Sequence, residues 1–430
     1  MNLTNIISTG GTRLLNAVFS IFILILITNF IGNEGLGIIS LVIVDIAVIQ
    51  LFNDLIAGST LVYFASRKSI TNLLTISYIW IIFISLLTAG IYFVFQLFFP
   101  EFVKLIIPEG YFLWVIIISV ANGFMQIHYN LLMGLNKVKT YNVIYFIQII
   151  LQMGLFLMFL LFLHKYIPSS YFLALGISWT ISGIIGINIL SKHLKTERIE
   201  PIFKTASELI NFGFFTQTAN LLHLGSKRIS YYFIRYFSGL SVLGILSAGV
   251  QATEGLKIFG QSISLVQYSN ISSSRNNEKA RVLTIQFMKI SFLLTFSGLI
   301  ILLSVPQTVY TTIFGEGFIG IKFVIWALSP GVLALSQNTI FSHYFSGTGK
   351  PQVNLKTNLI GFIAAIIFAF ILIPIWGIVG AGLTASGSYI VSLIYQYFLF
   401  KKNTKTKFRE WLPDYNDLKI IKAYIKRTNI

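Results

Sequence analysis

The stretch ELINFGFFTQTANLLHLGSKRISYYFIRY, residues 208–236, is apolar enough to cross a bilayer, yet it carries a stripe of polar side chains. The stripe consists of residues spaced four, three, four and three positions apart: Thr216, Asn220, His223, Lys227 and Ser230. At 3.6 residues per turn, this spacing places them on one face of a helix. A charge inside a membrane span is costly, so such a face is expected to line a bundle interior or a water-filled cavity. The structural alternative is a polar seam that joins packed helices.

Two cations, Lys227 and Arg228, decide between these interpretations. The chain has no acidic residue between Glu208 and Glu254, so neither cation has a neutralising partner nearby in the sequence. Because an unpaired charge in a span is rarely structural, we predict that both cations serve function.

Composition places the whole chain in the membrane. The 430 residues are 55% hydrophobic and only 10% charged, whereas soluble domains have about 25% charged residues. The absence of cysteine excludes a disulfide framework or a zinc-thiolate site. The net charge of +17 does not indicate nucleic-acid binding, because membrane proteins collect basic residues in cytoplasmic loops.

Twelve segments have the roughly 20 apolar residues that a transmembrane helix needs. They are predicted at 9–31, 36–63, 72–99, 111–135, 141–163, 171–190, 207–234, 241–267, 283–304, 318–344, 354–375 and 377–400. If the N-terminus is cytoplasmic, 24 of the 31 Lys and Arg residues fall in inside segments, 4 in outside segments and 3 within helices. This asymmetry predicts that both termini are cytoplasmic.

The chain repeats itself at an offset of 207 residues. A second polar stripe near the N-terminus, formed by Thr9, Arg13, Asn16 and Ser20, matches Thr216, Asn220, His223 and Lys227 one for one. The junction FIGNEGLGIIS at 30–40 shares six of eleven residues with FSGLSVLGILS at 237–247. EGY at 109–111 matches EGF at 316–318 at the same offset, and GLNK at 134–137 matches GTGK at 347–350 at an offset of 213. Six segments separate the copies, which predicts a parallel repeat of two six-helix lobes.

This repeat sets the predicted domains. The N-terminal lobe is 1–190, a cytoplasmic linker is 191–206, the C-terminal lobe is 207–400, and a basic tail is 401–430. From Asp414 onward the apolar and basic residues of the tail are spaced as in an amphipathic helix on the membrane surface. A plain solvated basic tail is the alternative. We expect the first and seventh segments to face each other across a central cavity. The predicted substrate-binding residues are Arg13, Asn16, Asn220, His223, Lys227, Arg228 and Lys257.

Three intramembrane acids have two interpretations each. Glu254 lies three residues before Lys257, so the two either form a self-neutralised pair or belong to a site. Asp45 and Asp54 either form salt bridges with Arg13 or Lys227, or bind a coupling proton or sodium ion. Asp45, Asp54 and Glu254 are therefore the ion-coupling candidates.

Further positions are candidates for movement or proton transfer. Ser329, Pro330 and Gly331 interrupt the tenth segment, as a hinge or as a static kink. His128 is expected to be a hydrogen-bonded residue of the bundle, with proton transfer as the alternative. No residues are predicted to form a catalytic or metal site.

The stretches GTGKPQVNLKTN at 347–358 and LIPIWGIVGAGLTASGSY at 372–389 resemble the polysaccharide-exporter family. That family includes the O-antigen (Wzx-type) flippases and belongs to the superfamily of the multidrug-and-toxin (MATE) extruders. The resemblance implies two six-helix lobes around a V-shaped cavity, and export of a sugar chain linked to undecaprenyl diphosphate from the inner to the outer leaflet. It implies no cofactor, with coupling to a proton or sodium gradient left open. Many relatives have an acid where this chain has Lys227, so coupling ideas based on that acid do not carry over.

The expected protein is thus a lipid-linked oligosaccharide flippase of the bacterial inner membrane, a transporter and not an enzyme. Its expected partners are the lipid-linked sugar, membrane lipids and other polysaccharide-assembly proteins, not nucleic acid. A small-molecule exporter of the same superfamily is the main alternative, although such a cavity would be expected to hold more acids than bases. A membrane glycan polymerase or transferase is disfavoured, because no connection exceeds about 15 residues. A non-transporting scaffold for glycan assembly is the remaining alternative.

Overall fold

The computed structural model describes residues 3–192, 201–272, 277–406 and 410, of which 3–14, 265–266, 269–270 and 272 are described by their backbone alone. Within these ranges every regular element is helical, as expected where lipid offers the backbone no hydrogen-bond partners. The α-helices are α1 Leu3–Phe30, α2 Gly32–Ala57, α3 Ser59–Phe64, α4 Ile70–Phe98, α5 Pro100–Ile106, α6 Phe112–Gly134, α7 Val138–Leu161, α8 Pro168–Ser191, α9 Ile202–Glu254, α10 Lys257–Ser272, α11 Asn277–Ser304, α12 Gln307–Phe314, α13 Ile321–Gly347 and α14 Gln352–Thr404. A 3-10 turn at Glu316–Phe318 precedes α13.

Two helices, α9 and α14, are each 53 residues long and contain one glycine outside helical geometry. Gly239 has φ 84° and Gly377 has φ 51°, a region that favours glycine, so each long helix supplies two apolar segments. Across the described chain, nine helices are long and apolar enough to span a membrane, and α1 adds the shorter apolar run Leu15–Phe30. Counting α9 and α14 twice gives twelve segments, which confirms the prediction of an all-α multi-pass membrane protein.

The internal repeat is visible in the backbone. Gly32 and Gly239, 207 residues apart, have φ 85° and 84°. Asn136 of the GLNK motif and Gly349 of the GTGK motif occupy equivalent places, and both have positive φ. The residue after each closes the same helix end: Lys137 N–H donates to Leu132 O at 2.8 Å, and Lys350 N–H donates to Phe345 O at 2.7 Å. Both are Schellman ends, so the repeat predicted from short motifs extends to local geometry.

The two repeat junctions approach each other backbone to backbone. A Cβ atom on Gly37 would lie 2.1 Å from the carbonyl oxygen of Leu240, and one on Gly244 would lie 1.8 Å from that of Asn33. Asn33 also donates its side-chain amide to Gly317 O at 3.0 Å. The glycines shared by the two copies therefore permit a crossing that larger residues would block.

The chain divides into two compact units. Unit 1 comprises 1–221, 239–244 and 313–317, and unit 2 comprises 222–238, 245–312 and 318–430. The core of unit 1 includes the buried residues Ile56, Leu61, Leu73, Leu131 and Leu209. Leu209 is in α9, so the beginning of that helix packs in unit 1.

Unit 2 has a separate core that is rich in aromatic residues. Its buried members include Phe287, Phe341, Phe345 and Phe400, with Tyr344 packed edge-on against Phe400 at 4.8 Å between ring centroids. These side chains come from α11, α13 and the second part of α14, so packing between sequence-distant helices holds the unit together.

The helix α13 continues through Pro330, so Ser329–Gly331 does not break it, and the choice between a hinge and a static kink stays a prediction. Ser386 of α14 explains why the helix survives. Its hydroxyl accepts a hydrogen bond from Gly331 N–H at 3.1 Å and donates one to Ala327 O at 2.6 Å, which bridges the turn that proline disturbs. The predicted tail helix from Asp414 lies outside the described residues, as do residues 193–200 of the predicted linker at 191–206.

Candidate functional site

The second part of the polar stripe lies in unit 2, where α9 packs against α14. At Gly225 a Cβ atom would lie 2.5 Å from the ring of Phe362, so the two helices approach closely there. This contact fixes the rotation of α9 at Gly225, which is two residues before Lys227 and three before Arg228. His223 and Lys227 are four residues apart and share a helix face, as the sequence pattern predicts. Both side chains are half-buried.

Arg228 forms an ion pair with Glu254 in which two hydrogen bonds run in parallel. Its Nη1 lies 3.0 Å from Glu254 Oε1 and its Nη2 lies 3.3 Å from Oε2. The side chains are only 21% and 10% exposed, so water screens the pair weakly. The face of Tyr231 lies 5.2 Å from the guanidinium carbon and adds a cation–π contact.

Glu254 is shared with a second cation. Lys257 Nζ lies 3.2 Å from Glu254 Oε2, so one carboxylate contacts two basic side chains. The predicted Glu254–Lys257 pair is therefore present, but it is not the isolated pair that the sequence suggested. No acid lies close to Arg228 in the sequence, but Glu254 reaches it from 26 residues away.

A break in the helix explains how these groups meet. α9 ends at Glu254, α10 begins at Lys257, and the turn between them is held by bonds such as Leu256 N–H to Thr253 O at 3.1 Å. A carboxylate is unfavourable at the negative end of a helix dipole, and the two cations offset that cost.

Lys227 completes the charge cluster, which we define as Lys227, Arg228, Glu254 and Lys257. No hydrogen bond or ion pair joins Lys227 to another described residue, although its charge interacts with the three other members. Three cations and one anion leave a net charge of +2, before any charge on His223 is counted. A half-buried region with this excess can bind an anionic group bidentately through Arg228.

Unit 1 holds a different polar group around Asp54. Gln50 donates to the Asp54 carboxylate at 2.7 Å and accepts a hydrogen bond from the amide of Asn122 at 3.1 Å. The side chain of Asp54 has no basic partner among the described residues. Asp45 lies earlier on α2 and is buried. The carboxylate of Asp54 therefore faces amides rather than cations.

Of the remaining predicted residues, Asn220 reaches the Asp54 group through Gln217, whose amide donates to the backbone oxygen of Asp54 at 3.4 Å. Asn220 donates to Gln217 of its own helix at 3.0 Å, and Asn16 is half-buried on α1. The side chain of Arg13 lies outside the described part of the chain, so its role stays a prediction. His128 is fully buried and lies 2.7 Å from the hydroxyl of Tyr78, as expected for a hydrogen-bonded residue of the bundle. Among the residues searched, no group of three metal-binding side chains occurs.

Sequence reasoning missed Gln50 as the partner of Asp54, Asn122 as the partner of Gln50, and Tyr231 as the ring beside Arg228. Gln50 and Asp54 are four residues apart, so helical spacing could have identified that pair. Asn122 is 72 residues from Gln50, and no local pattern indicates their contact.

Comparisons with known proteins were made by sequence and by structure. No family model matches the chain. It is 25% identical over 410 residues to a capsular polysaccharide biosynthesis protein of Staphylococcus aureus, covering 91% of this chain and 97% of that protein. It is 24% identical over 259 residues to an uncharacterized membrane protein of Methanocaldococcus jannaschii, covering 58% of this chain and 50% of that one. It is 22% identical over 227 residues to a protein of Haloferax volcanii named "probable low-salt glycan biosynthesis flippase", covering 52% and 47%. The chain thus spans about half the length of the two archaeal relatives.

Solved structures of transporters share the fold over nearly the whole chain. The lipid II flippase MurJ, in an inward closed conformation, matches with TM-score 0.73 and 17% identity, covering 95% of this chain and 89% of MurJ. An inward-facing multidrug resistance MATE family transporter of the MOP superfamily matches with TM-score 0.69 and 16% identity, covering 89% and 94%. The Haloferax volcanii relative and MurJ are named as flippases, and the MATE neighbour is named as a transporter. These names support the prediction of a transporter rather than an enzyme. The chain therefore has the fold shared by MurJ and the MATE transporters, and the predicted resemblance is confirmed at that level.

Proposed function

We propose that this chain moves an undecaprenyl-diphosphate-linked oligosaccharide from the inner to the outer leaflet of a bacterial cytoplasmic membrane. The sugar chain would serve a capsule, an O-antigen or another surface polysaccharide. The two named relatives, one a capsular polysaccharide biosynthesis protein and one a glycan biosynthesis flippase, support a substrate of this class.

The observation that carries the proposal is the net charge of the cluster. A lipid diphosphate carries about two or three negative charges, and moving them unpaired through hydrocarbon is prohibitive. Lys227, Arg228 and Lys257 provide three cations within one unit, and a single carboxylate offsets them. Arg228 supplies the planar fork that binds phosphate through two hydrogen bonds, and Lys227 supplies a charge that no described acid contacts directly.

Transport against a gradient also needs a source of energy, and we propose that a proton or sodium gradient supplies it. Asp54 is the better candidate for the coupling carboxylate than Glu254. The amides around Asp54 leave its charge uncompensated among the described residues, whereas Glu254 contacts two cations. A cation arriving at Asp54 would meet one carboxylate, and no described ammonium or guanidinium group contacts that carboxylate.

The test is complementation of a deletion strain of the source organism. Wild type is compared with Lys227→Met and with the control Lys165→Met, which removes an exposed lysine between α7 and α8. We expect the deletion to abolish surface glycan and to leave the lipid-linked sugar on the inner leaflet. Wild type and the control should restore export, while Lys227→Met at normal membrane abundance should lower it by about tenfold or more, the effect of losing one charged contact.

Two results would contradict parts of this proposal. If the deletion leaves surface glycan intact, the flippase assignment fails, and efflux of small solutes is the next activity to assay. If glycan is lost and Lys227→Met restores it fully, the protein exports the glycan precursor but the charge cluster is not its binding site.

A further inference from the structure

Glu254 contacts the side of Arg228 that a phosphate group would use. The two terminal guanidinium nitrogens of Arg228 donate to the two carboxylate oxygens of Glu254 at 3.0 and 3.3 Å. Arginine also binds phosphate in this geometry. The same carboxylate contacts Lys257. An anion that binds to both cations must therefore compete with Glu254.

The environment of Glu254 favours such competition. Lys257 is the most exposed member of this trio at 33%, so the cluster is open to a ligand on that side. Glu254 is the last residue of α9, and Gly255 follows it before α10 begins, so its backbone is not held within a continuous helix. A carboxylate at a helix end that is released from its cations can turn away at less cost than one in mid-helix.

We propose that Glu254 is a built-in competitor that occupies Arg228 when the site is empty and is displaced by the diphosphate of the substrate. This inference rests on the proposed function and adds to it the means of release. The bound diphosphate is repelled by the nearby carboxylate, and the return of Glu254 to Arg228 lowers its affinity. Glu254 therefore keeps binding from becoming so tight that transport stops.

The experiment uses the purified full-length protein in lipid nanodiscs. Two probes separate the sources of the anion: inorganic pyrophosphate presents the charge alone, and farnesyl diphosphate presents it on a prenyl chain. Glu254→Gln keeps the shape of the side chain and removes its charge. The matched control is Glu109→Gln, which removes an exposed acid that contacts Lys104 at 3.2 Å in unit 1.

We expect Glu254→Gln to bind both probes at least about tenfold more tightly than wild type, because one repulsive charge near the site is gone. Export in the complementation assay should fall despite the tighter binding, since release becomes slow. Glu109→Gln should bind as wild type does. Glu254→Asp, which keeps the charge but shortens its reach to Arg228, should bind at intermediate strength, and it serves in place of Glu254→Gln if that variant does not fold.

Two outcomes would overturn the inference, and they differ for the proposed function. If Glu254→Gln binds the probes no more tightly than wild type while Lys227→Met weakens binding, Glu254 is a structural partner and the proposed function stands. If wild type binds neither probe, the inference and the diphosphate site fail together. Tighter binding of farnesyl diphosphate alone would assign the competition to the lipid-borne headgroup rather than to free pyrophosphate.

Discussion

Two carboxylates within membrane helices, Asp54 in unit 1 and Glu254 in unit 2, have opposite surroundings. Glu254 contacts a guanidinium and an ammonium group at 3.0–3.2 Å. Asp54 accepts a hydrogen bond from the amide of Gln50, which in turn contacts Asn122. The first is compensated by full charges, whereas the second is held by dipoles. The same functional group therefore balances cations in one unit, and has no full compensating charge among the described residues in the other.

The largest expected effect follows from breaking the compensated side of this comparison. Arg228→Met leaves buried Glu254 in direct contact with one described cation, Lys257, and loss of one partner from a buried pair costs about 3 kcal/mol. We expect a marked drop in the thermal unfolding temperature of the purified protein, together with loss of export. Thermal denaturation in detergent micelles measures the first effect, and surface glycan measures the second.

A second substitution tests whether the charge imbalance is the cause. Arg228→Met combined with Glu254→Gln removes both charges, so it should recover about half of the lost stability but none of the export. If the double variant is as unstable as the sum of the two single variants, Arg228 and Glu254 do not depend on each other, and the compensated pair is not what stabilises this region.

An intermediate effect is expected at Asp54, and it should appear in energy coupling rather than in stability. Asp54→Asn keeps an oxygen that accepts from Gln50, so its free energy of unfolding should stay within about 1 kcal/mol of wild type. Gradient-driven export in membrane vesicles should fall by about tenfold. Pyrophosphate binding should not change.

The reverse pattern is expected for Glu254→Gln, which should alter pyrophosphate binding and retain its dependence on the gradient. Vesicle assays with and without a proton or sodium gradient, run on both variants, make the comparison direct. Full gradient dependence in Asp54→Asn would exclude Asp54 as the coupling residue and make Asp45 the next position to change.

The smallest effect is expected at an ion pair between the turn that joins α3 to α4 and helix α9. Lys68 Nζ lies 2.8 Å from Glu208, and their side chains are 15% and 40% exposed. Because solvent screens the charge of Glu208, Glu208→Gln should lower stability by less than about 1 kcal/mol and leave export unchanged. Raising the salt concentration should shrink the difference in unfolding temperature from wild type. A loss as large as that of Arg228→Met would show that exposure does not separate these two pairs.

Much of the fold could be predicted from the sequence because lipid allows few alternatives. A segment of about 20 apolar residues has to satisfy its own backbone, so hydropathy alone indicates the helices. The repeat could be predicted because its motifs coincide with glycines such as Gly32 and Gly239, whose backbone conformation admits few other residues. The placement of both termini in the cytoplasm stays a prediction from charge asymmetry.

The charge cluster was only half predictable. Helical spacing placed His223 and Lys227 on one face, but it could not reveal that Glu254 contacts Arg228. That contact depends on the turn at Gly239, where the backbone leaves helical geometry between the partners. The continuity of α13 through Pro330 was missed for a related reason. The hydroxyl that sustains it belongs to Ser386, which is 55 residues away from Gly331.

The crossing at Gly37 and Gly244 has a consequence for how the two halves of a duplicated chain can diverge. At 1.8–2.1 Å from a facing carbonyl oxygen, an added methyl group at either glycine has no room, and no change on the opposite backbone can provide it. Side chains elsewhere in the two copies can drift apart because a neighbour can adjust to them. At this crossing each copy restricts the other. The glycines that the two copies share should therefore persist there, independently of what the protein transports.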